Sequence, residues 1–249
     1  MLQQTQASRV EPIFDAFVAR FPDVGVLAEA SRADVLRRWA GLGYNRRAVA
    51  LHETARTVVR EHGGRVPRDV DALIRLPGVG PYTAAAVASI GHGVAVAALD
   101  GNVRRIVARA IRGAEPDEVP VGDLASDART WLDPSAPGAW NQALMDIGRL
   151  FCRPAPRCDG CPVAPDCRFL GAGRHGRPSG RRQSAFEGSP RQVRGAVVRI
   201  LRAVRSASIE VLAERTGRPV AAVATATAAL TAEGIIERTR SGSFRLSSR

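Results

Sequence analysis

The sequence contains no lysine: all 36 of its basic side chains are arginine. Genomic base composition is reason enough for that bias, and its chemical consequence holds whatever the cause. Without an ε-amine the chain lacks the usual protein nucleophile for forming an imine with an aldehyde. Cysteine is absent from most of the chain, and the four present (Cys152, Cys158, Cys161 and Cys167) fall in one window. A disulfide framework distributes its cysteines along a small secreted scaffold. Four thiols in one loop read as metal ligands instead. No apolar run approaches the length that spans a bilayer, and the opening Met1-Leu2-Gln3-Gln4-Thr5-Gln6 is polar. Neither a membrane segment nor a secretory leader is expected.

What is present is an ordinary core-forming composition. The 249 residues are 45% hydrophobic and 24% charged, which suits one large domain or two modest ones. Arginines outnumber Asp and Glu by 36 to 24, a formal net charge of +12 with a pI near 11.2. A surplus of that size points to a polyanionic partner, most often nucleic acid.

The first half has helical periodicity throughout. Phe14, Phe17 and Val18 mark one segment, Val35, Leu36 and Trp39 another, and Ala48, Leu51, Ala55, Val58 and Val59 a third that Gly63-Gly64 closes. A short helix from Asp69 to Ile74 runs into Leu76-Pro77-Gly78-Val79-Gly80, after which Pro81 opens a helix to about Ile90. Asp100 is placed to cap a helix whose apolar face is Val103, Ile106, Val107 and Ala110. From Arg168 to Arg205 there are ten arginines and one acid, Glu187, in a Gly-, Ser- and Pro-rich setting. Such a run is a solvated arm by default and can also clamp a phosphate backbone. Beyond it, helices over Gln192–Val204, Ser208–Thr216 and Val220–Glu233 precede a hairpin around Ser241-Gly242, the order of a winged helix.

Two local arrangements carry chemistry. Glycines between two helices let the backbone turn tightly and present N–H groups at a helix start, a ready anion site. Twenty residues on, Asp100-Gly101-Asn102 places an acid at another helix start. The cysteines follow a C-x5-C-x2-C-x5-C pattern, and that spacing alone fits structural zinc or an iron–sulfur cluster equally well.

Together, MLQQTQ, LGYNRRA, LPGVGPYTA, LDGNVRRI and NQALMDIGRLFC with its cysteine loop resemble the helix-hairpin-helix DNA glycosylase superfamily, and within it the adenine-specific, MutY-type branch. The resemblance covers about residues 1–170. It implies a mainly α fold: a six-helix barrel at about 1–115 and an iron–sulfur cluster domain at about 116–170, enclosing DNA whose target adenine is flipped into the cleft between them. An Arg/Gly-rich linker at 171–189 and a winged-helix-like α+β domain at 190–249 complete the expected organisation.

By residue, the resemblance implies that Asp100 stabilises the oxocarbenium-like sugar, with Asn102 beside it and Tyr82 on the pocket wall. Tyr82 falls where lyase members of the superfamily carry a Schiff-base lysine, which implies a monofunctional enzyme. Gln3 and Gln4 match the segment that fills the stack beside the flipped base. Tyr44 matches the intercalating loop, Arg46 and Arg47 are placed for phosphate contact, and Gly78, Val79 and Gly80 form the phosphate-binding hairpin. Cys152, Cys158, Cys161 and Cys167 match the ligands of a [4Fe-4S] cluster, although the first spacing is one residue shorter than is usual. The arginines Arg153, Arg157 and Arg168 of that loop are expected to face DNA. The implied partner is double-stranded DNA containing a mismatch, bound by a cytoplasmic, nucleoid-associated monomer.

Two departures shape the expectation. In the family a glutamate two residues before the methionine of the LQQTQ segment protonates the adenine. Here that methionine is Met1, and Glu11 lies on the wrong side to substitute. A start site assigned too far downstream is the preferred reading, and a non-catalytic DNA-binding protein is the rival. Residues 190–249 also do not resemble the Nudix-like domain that reads 8-oxoguanine, which leaves the opposite-base preference open. Tyr82 also suits the pyrimidine pocket of related branches, so thymine or uracil mismatch excision stands as an alternative.

Overall fold

The computed structural model describes residues 1–3, 5–176 and 185–248; Gln4 and the 177–184 part of the expected linker lie outside the described residues. The chain forms two compact units, Met1–Val66 with Gln183–Arg249, and Pro67–Arg182.

The first unit begins with α1 (Ala7–Arg20), α2 (Val24–Glu29), α3 (Arg32–Arg38) and α4 (Arg46–His62). Short polar side chains start these helices by accepting otherwise orphaned N–H groups: Asp23 from Val26 N at 2.9 Å and Ser31 from Asp34 N at 3.2 Å. Phe17 is buried while Phe14 and Val18 face outward, so the spacing marks α1 correctly without saying which side is covered.

The second unit holds α5 (Val70–Ile74), α6 (Pro81–Ala86), α7 (Gly101–Val107), α8 (Val121–Trp131), α9 (Pro137–Leu150) and α10 (Arg168–Gly171). Helices α6 and α7 each run on into a π-helical turn, Val87–Gly91 and Ala108–Arg112. The expected face of Val103, Ile106, Val107 and Ala110 is buried against Leu124, Ala128 and Leu144.

The chain then returns to the first unit with α11 (Pro190–Ala203), α12 (Ile209–Thr216) and α13 (Val220–Ala232), capped at Ser189 and Ser208. Strands β1 (Ile236–Arg238) and β2 (Phe244–Leu246) pair antiparallel, with Ile236 opposite Leu246. Ala207 adds a bridge to Phe244, so the wing has a third edge that the hairpin pattern does not reveal. Val35, Leu36 and Trp39 share one apolar cluster with Val197, Val198, Leu201, Leu230, Ile235 and Ile236. Each such aliphatic side chain, fully buried, contributes about 1.5–3 kcal/mol.

Candidate active site

Asp100 is the N-cap of α7. Its Oδ1 accepts from Asn102 N at 2.8 Å and Val103 N at 2.7 Å, and its Oδ2 accepts from Asn102 Nδ2 at 3.2 Å. Two backbone donors occupy Oδ1, whereas Oδ2 keeps a lone pair for a further charge. The cap that the sequence predicts thus fixes the carboxylate's direction without consuming it. The carboxylate is half-buried, and Tyr82 lies near enough for its charge to act there. Burial, and secondarily Asp100, push the Tyr82 phenol above its ordinary pKa; its hydroxyl contacts Met145 Sδ at 3.6 Å.

Two residues without an assigned role in the sequence build the floor of this site. Asn141 on α9 is fully buried. Its Oδ1 accepts from Ala98 N at 2.7 Å, and its Nδ2 donates to Val96 O and Pro137 O, each at 2.9 Å. The carboxamide thereby stands in for a strand partner to the extended segment that delivers Asp100. Gly148, about two turns further along α9, packs against Asn102: a Cβ there would sit 2.5 Å from Asn102 Cβ. Only glycine permits that approach. Both lie in the NQALMDIG motif, where a polar residue and a glycine within an apolar helical stretch are the available signal.

From Asn102 the hydrogen bonds continue. Arg105 Nη2 donates to Asn102 Oδ1 at 2.8 Å and to Gly148 O at 3.0 Å, and its Nε donates to Cys152 O. Burial pulls the Arg105 pKa down, but its guanidinium stays fully tied to these acceptors. An unbroken path therefore runs from the Asp100 carboxylate to the first cysteine of the loop.

The four cysteines line one cavity together with Ile106, Ala110, Arg157 and Phe169. Among the described residues, no three Cys, His, Asp or Glu side chains converge on a point that a single metal ion could occupy. Four thiols lining one cavity supply the donor set that either a structural zinc or an iron–sulfur cluster takes. Burial pushes the Cys152 thiol up, and the Arg109 and Arg105 guanidiniums oppose that shift.

Arg109, 2% exposed, organises this loop. It forms a forked pair with Glu115 at 2.9 and 3.1 Å and donates to Arg153 O at 2.6 Å and Pro154 O at 3.0 Å. It also stacks 4.9 Å above the Phe169 ring, whose centroid Arg174 approaches at 5.0 Å. Arg153, Arg157 and Arg168 are exposed around it.

The other predicted residues occupy two loops. Gly78 (φ 73°), Val79 and Gly80 form the turn between α5 and α6, with Gly78 and Gly80 exposed. In the first unit, Tyr44 is 52% exposed and has a positive φ of 42°, between Gly43 and Asn45. Arg46 is exposed. Arg47 is half-buried and spends its donors internally, on Leu42 O (3.1 Å), Met1 O (2.7 Å), Thr5 Oγ1 (2.7 Å) and Gln3 O. Its guanidinium lies 5.3 Å from the Trp39 ring and 5.7 Å from that of Tyr44. Arg47 thus ties the opening segment to the Tyr44 loop, while Gln3 itself is exposed.

Residues 1–121 match the family of HhH-GPD superfamily base excision DNA repair proteins. The adenine DNA glycosylase of Mycolicibacterium smegmatis is 40% identical over 253 residues, spanning 99% of this chain and 84% of that protein. That of Mycobacterium tuberculosis is 44% identical over 210 residues, spanning 82% and 68%. Among solved structures, a thermostable thymine-DNA glycosylase superposes with a TM-score of 0.63 at 30% identity, over 69% of this chain and 80% of that one. The chain belongs to the adenine DNA glycosylase family, and its activity is that of a base-excision-repair glycosylase.

Proposed function

We propose that the protein hydrolyses the N-glycosidic bond of adenine mispaired with guanine or 8-oxoguanine in double-stranded DNA. The observation that carries this reading is the Asp100 carboxylate, held by two backbone amides on one oxygen and left with a free lone pair on the other. As the C1′–N9 bond breaks, positive charge grows on the sugar, and a fixed carboxylate beneath the ring stabilises it without having to reorganise. Water then adds at C1′ and gives up one proton, which balances the proton taken by the departing adenine, so the products are neutral adenine and an abasic site. The chain has no lysine, so no ε-amine can trap the opened sugar as an imine, and the enzyme is monofunctional.

Tyr82 forms a wall of the base pocket, its phenol pushed above its ordinary pKa by burial. Asn102 is a positioning residue. The hairpin amides around Gly78–Gly80 and the Arg46 guanidinium take phosphates, while Tyr44, Gln3 and Gln4 occupy the stack around the extruded base. Cys152, Cys158, Cys161 and Cys167 hold a [4Fe-4S] cluster, which braces the loop carrying Arg153 and Arg157 against DNA. The protein works as a monomer in the cytoplasm, on chromosomal DNA.

The likeness to a thymine-DNA glycosylase supports a second reading, excision of thymine or uracil opposite guanine. Single-turnover excision on A·8-oxoguanine, A·G, T·G and U·G duplexes separates the two. Release of adenine that disappears in Asp100→Asn, with duplex binding preserved, is the expected result; turnover by Asp100→Asn refutes the assignment.

A further inference from the structure

The loop between α3 and α4 is under conformational load. Gly41, Gly43 and Tyr44 all have positive φ, at 90°, 68° and 42°, and Tyr44 has no glycine's freedom to adopt it. Such a backbone persists only where its surroundings fix it. Trp39 Nε1 donates to Gly43 O at 3.0 Å and Arg47 holds Leu42 O, both from inside the first four helices.

The remaining support comes from the far end of the sequence. Arg202, near the end of α11, donates through Nε to Leu36 O at 3.0 Å and through Nη2 to Asn45 Oδ1 at 2.8 Å. Asn45 is the N-cap of α4, yet its carboxamide makes no cap hydrogen bond. An asparagine at that position ordinarily accepts from the second or third amide of its helix; here its oxygen faces α11 instead. Burial lowers the Arg202 pKa, in keeping with a guanidinium whose hydration has been replaced by these two acceptors. A second arginine clasps in the opposite direction: Arg32 donates to Gly234 O at 3.2 Å, in the turn before β1, and pairs with Glu53 two turns into α4, without touching the loop itself. The α13 helix offers DNA little in return, since its sequence VAAVATATAALTA carries no charge and no amide side chain to read bases.

We propose that the C-terminal winged-helix module is a brace for the Tyr44 loop, and that Arg202 is the positioning residue that holds this loop in its DNA-receiving conformation. The inference rests on the reading of the loop as a DNA contact. The module contributes to DNA recognition by preorganising a loop that belongs to the N-terminal helices, not by reading bases itself. Losing two charge-assisted bonds raises the cost of ordering the loop at the moment of binding.

The test uses the full chain with Arg202→Met and, as comparator, Arg32→Met, which cuts the other clasp. Two quantities are read: hydrogen exchange of the 42–47 amides, and affinity for a duplex with an abasic-site analogue opposite 8-oxoguanine against its matched counterpart. Arg202→Met is expected to speed loop exchange and weaken mismatch affinity, each by about tenfold. Arg202→Lys restores part of both. Arg32→Met lowers the melting temperature but leaves loop exchange and affinity at parental values. Parental loop exchange in folded Arg202→Met, or equal loosening by Arg32→Met, overturns the brace. Should Arg202→Met fail to fold, Asn45→Ala removes only the loop's acceptor, and the same expectations and refutations apply to it. If the parental protein does not prefer the mismatched duplex, the DNA reading fails on its own, while the exchange measurement still decides the brace.

Discussion

Replacing Gly148 by alanine adds one methyl group and tests how tightly the candidate site is set. That Cβ would lie 2.5 Å from Asn102 Cβ, 3.2 Å from its Cα and 3.3 Å from its carbonyl carbon. Non-bonded carbons rest at about 3.5–4.0 Å, so α9 and the start of α7 must separate by roughly 1 Å. Asn102 cannot yield alone, because its N–H is bonded to Asp100 and its side-chain oxygen to Arg105. The displacement therefore carries the carboxylate with it. Misplacing a reacting group by about 1 Å costs on the order of 10²-fold in rate, while overpacking of this kind costs about 1–3 kcal/mol of stability. Single-turnover adenine excision at saturating protein isolates the chemical step from affinity. The rate should fall by about 10²-fold with DNA binding close to parental, since neither the hairpin nor the Tyr44 loop is touched. Gly122→Ala in α8, whose Cβ would meet nothing within 4 Å, is the matched control and should excise normally. A folded Gly148→Ala protein that excises at the parental rate refutes the geometry assigned to Asp100.

Arg105→Met removes the donors to Asn102, Gly148 and Cys152 together; excision should slow by roughly 10–100-fold at unchanged duplex affinity, scored in the same single-turnover assay. Arg109→Met leaves the buried Glu115 carboxylate without its partner, a loss of about 3–5 kcal/mol, and frees the carbonyls of Arg153 and Pro154. Iron and sulfide per chain should drop; adding Glu115→Leu should recover the melting temperature but not the iron, because the loop anchors remain absent. His52 is buried with Nε2 at 3.0 Å from Ala30 O, and its Nδ1 has no partner. Burial, then Arg56, lowers its pKa below the ordinary 6.5. The unfolded chain therefore takes up the proton first as pH falls, so the stability due to neutral His52 is present above that value and lost below it. In His52→Gln the melting temperature should decline less steeply between about pH 7 and 5.

Much of the site was legible because its residues do two local jobs at once. Asp100 announces itself as a cap, and the same hydrogen bonds that start α7 aim the carboxylate. The hairpin glycines and the cysteine window are likewise short-range patterns. Asn141 and Gly148 carry weaker signals, since their work depends on which backbone α9 meets. The packing of α11 and β2 on α3 left no local trace at all. Leu36, Val197, Val198 and Leu201 are ordinary apolar residues at helical spacing. Arg32 and Arg202, which join the two ends of the sequence, are two among 36 arginines. In a chain without lysine, nothing local separates a buried structural guanidinium from one that awaits a phosphate.

The apolar side of α3 is finally covered by α11 and β2, from the far end of the chain. On the ribosome those partners emerge only after the whole of Pro67–Arg182 has been synthesised. At ~5–20 residues per second, that interval is on the order of ten seconds. Until then α3 has α1 and α4 against it, and only the part of its apolar surface that α11 and β2 later cover stays open while the middle of the chain is already able to collapse. The core of the first helices is thus completed last, by elements that reach it only when synthesis is nearly done.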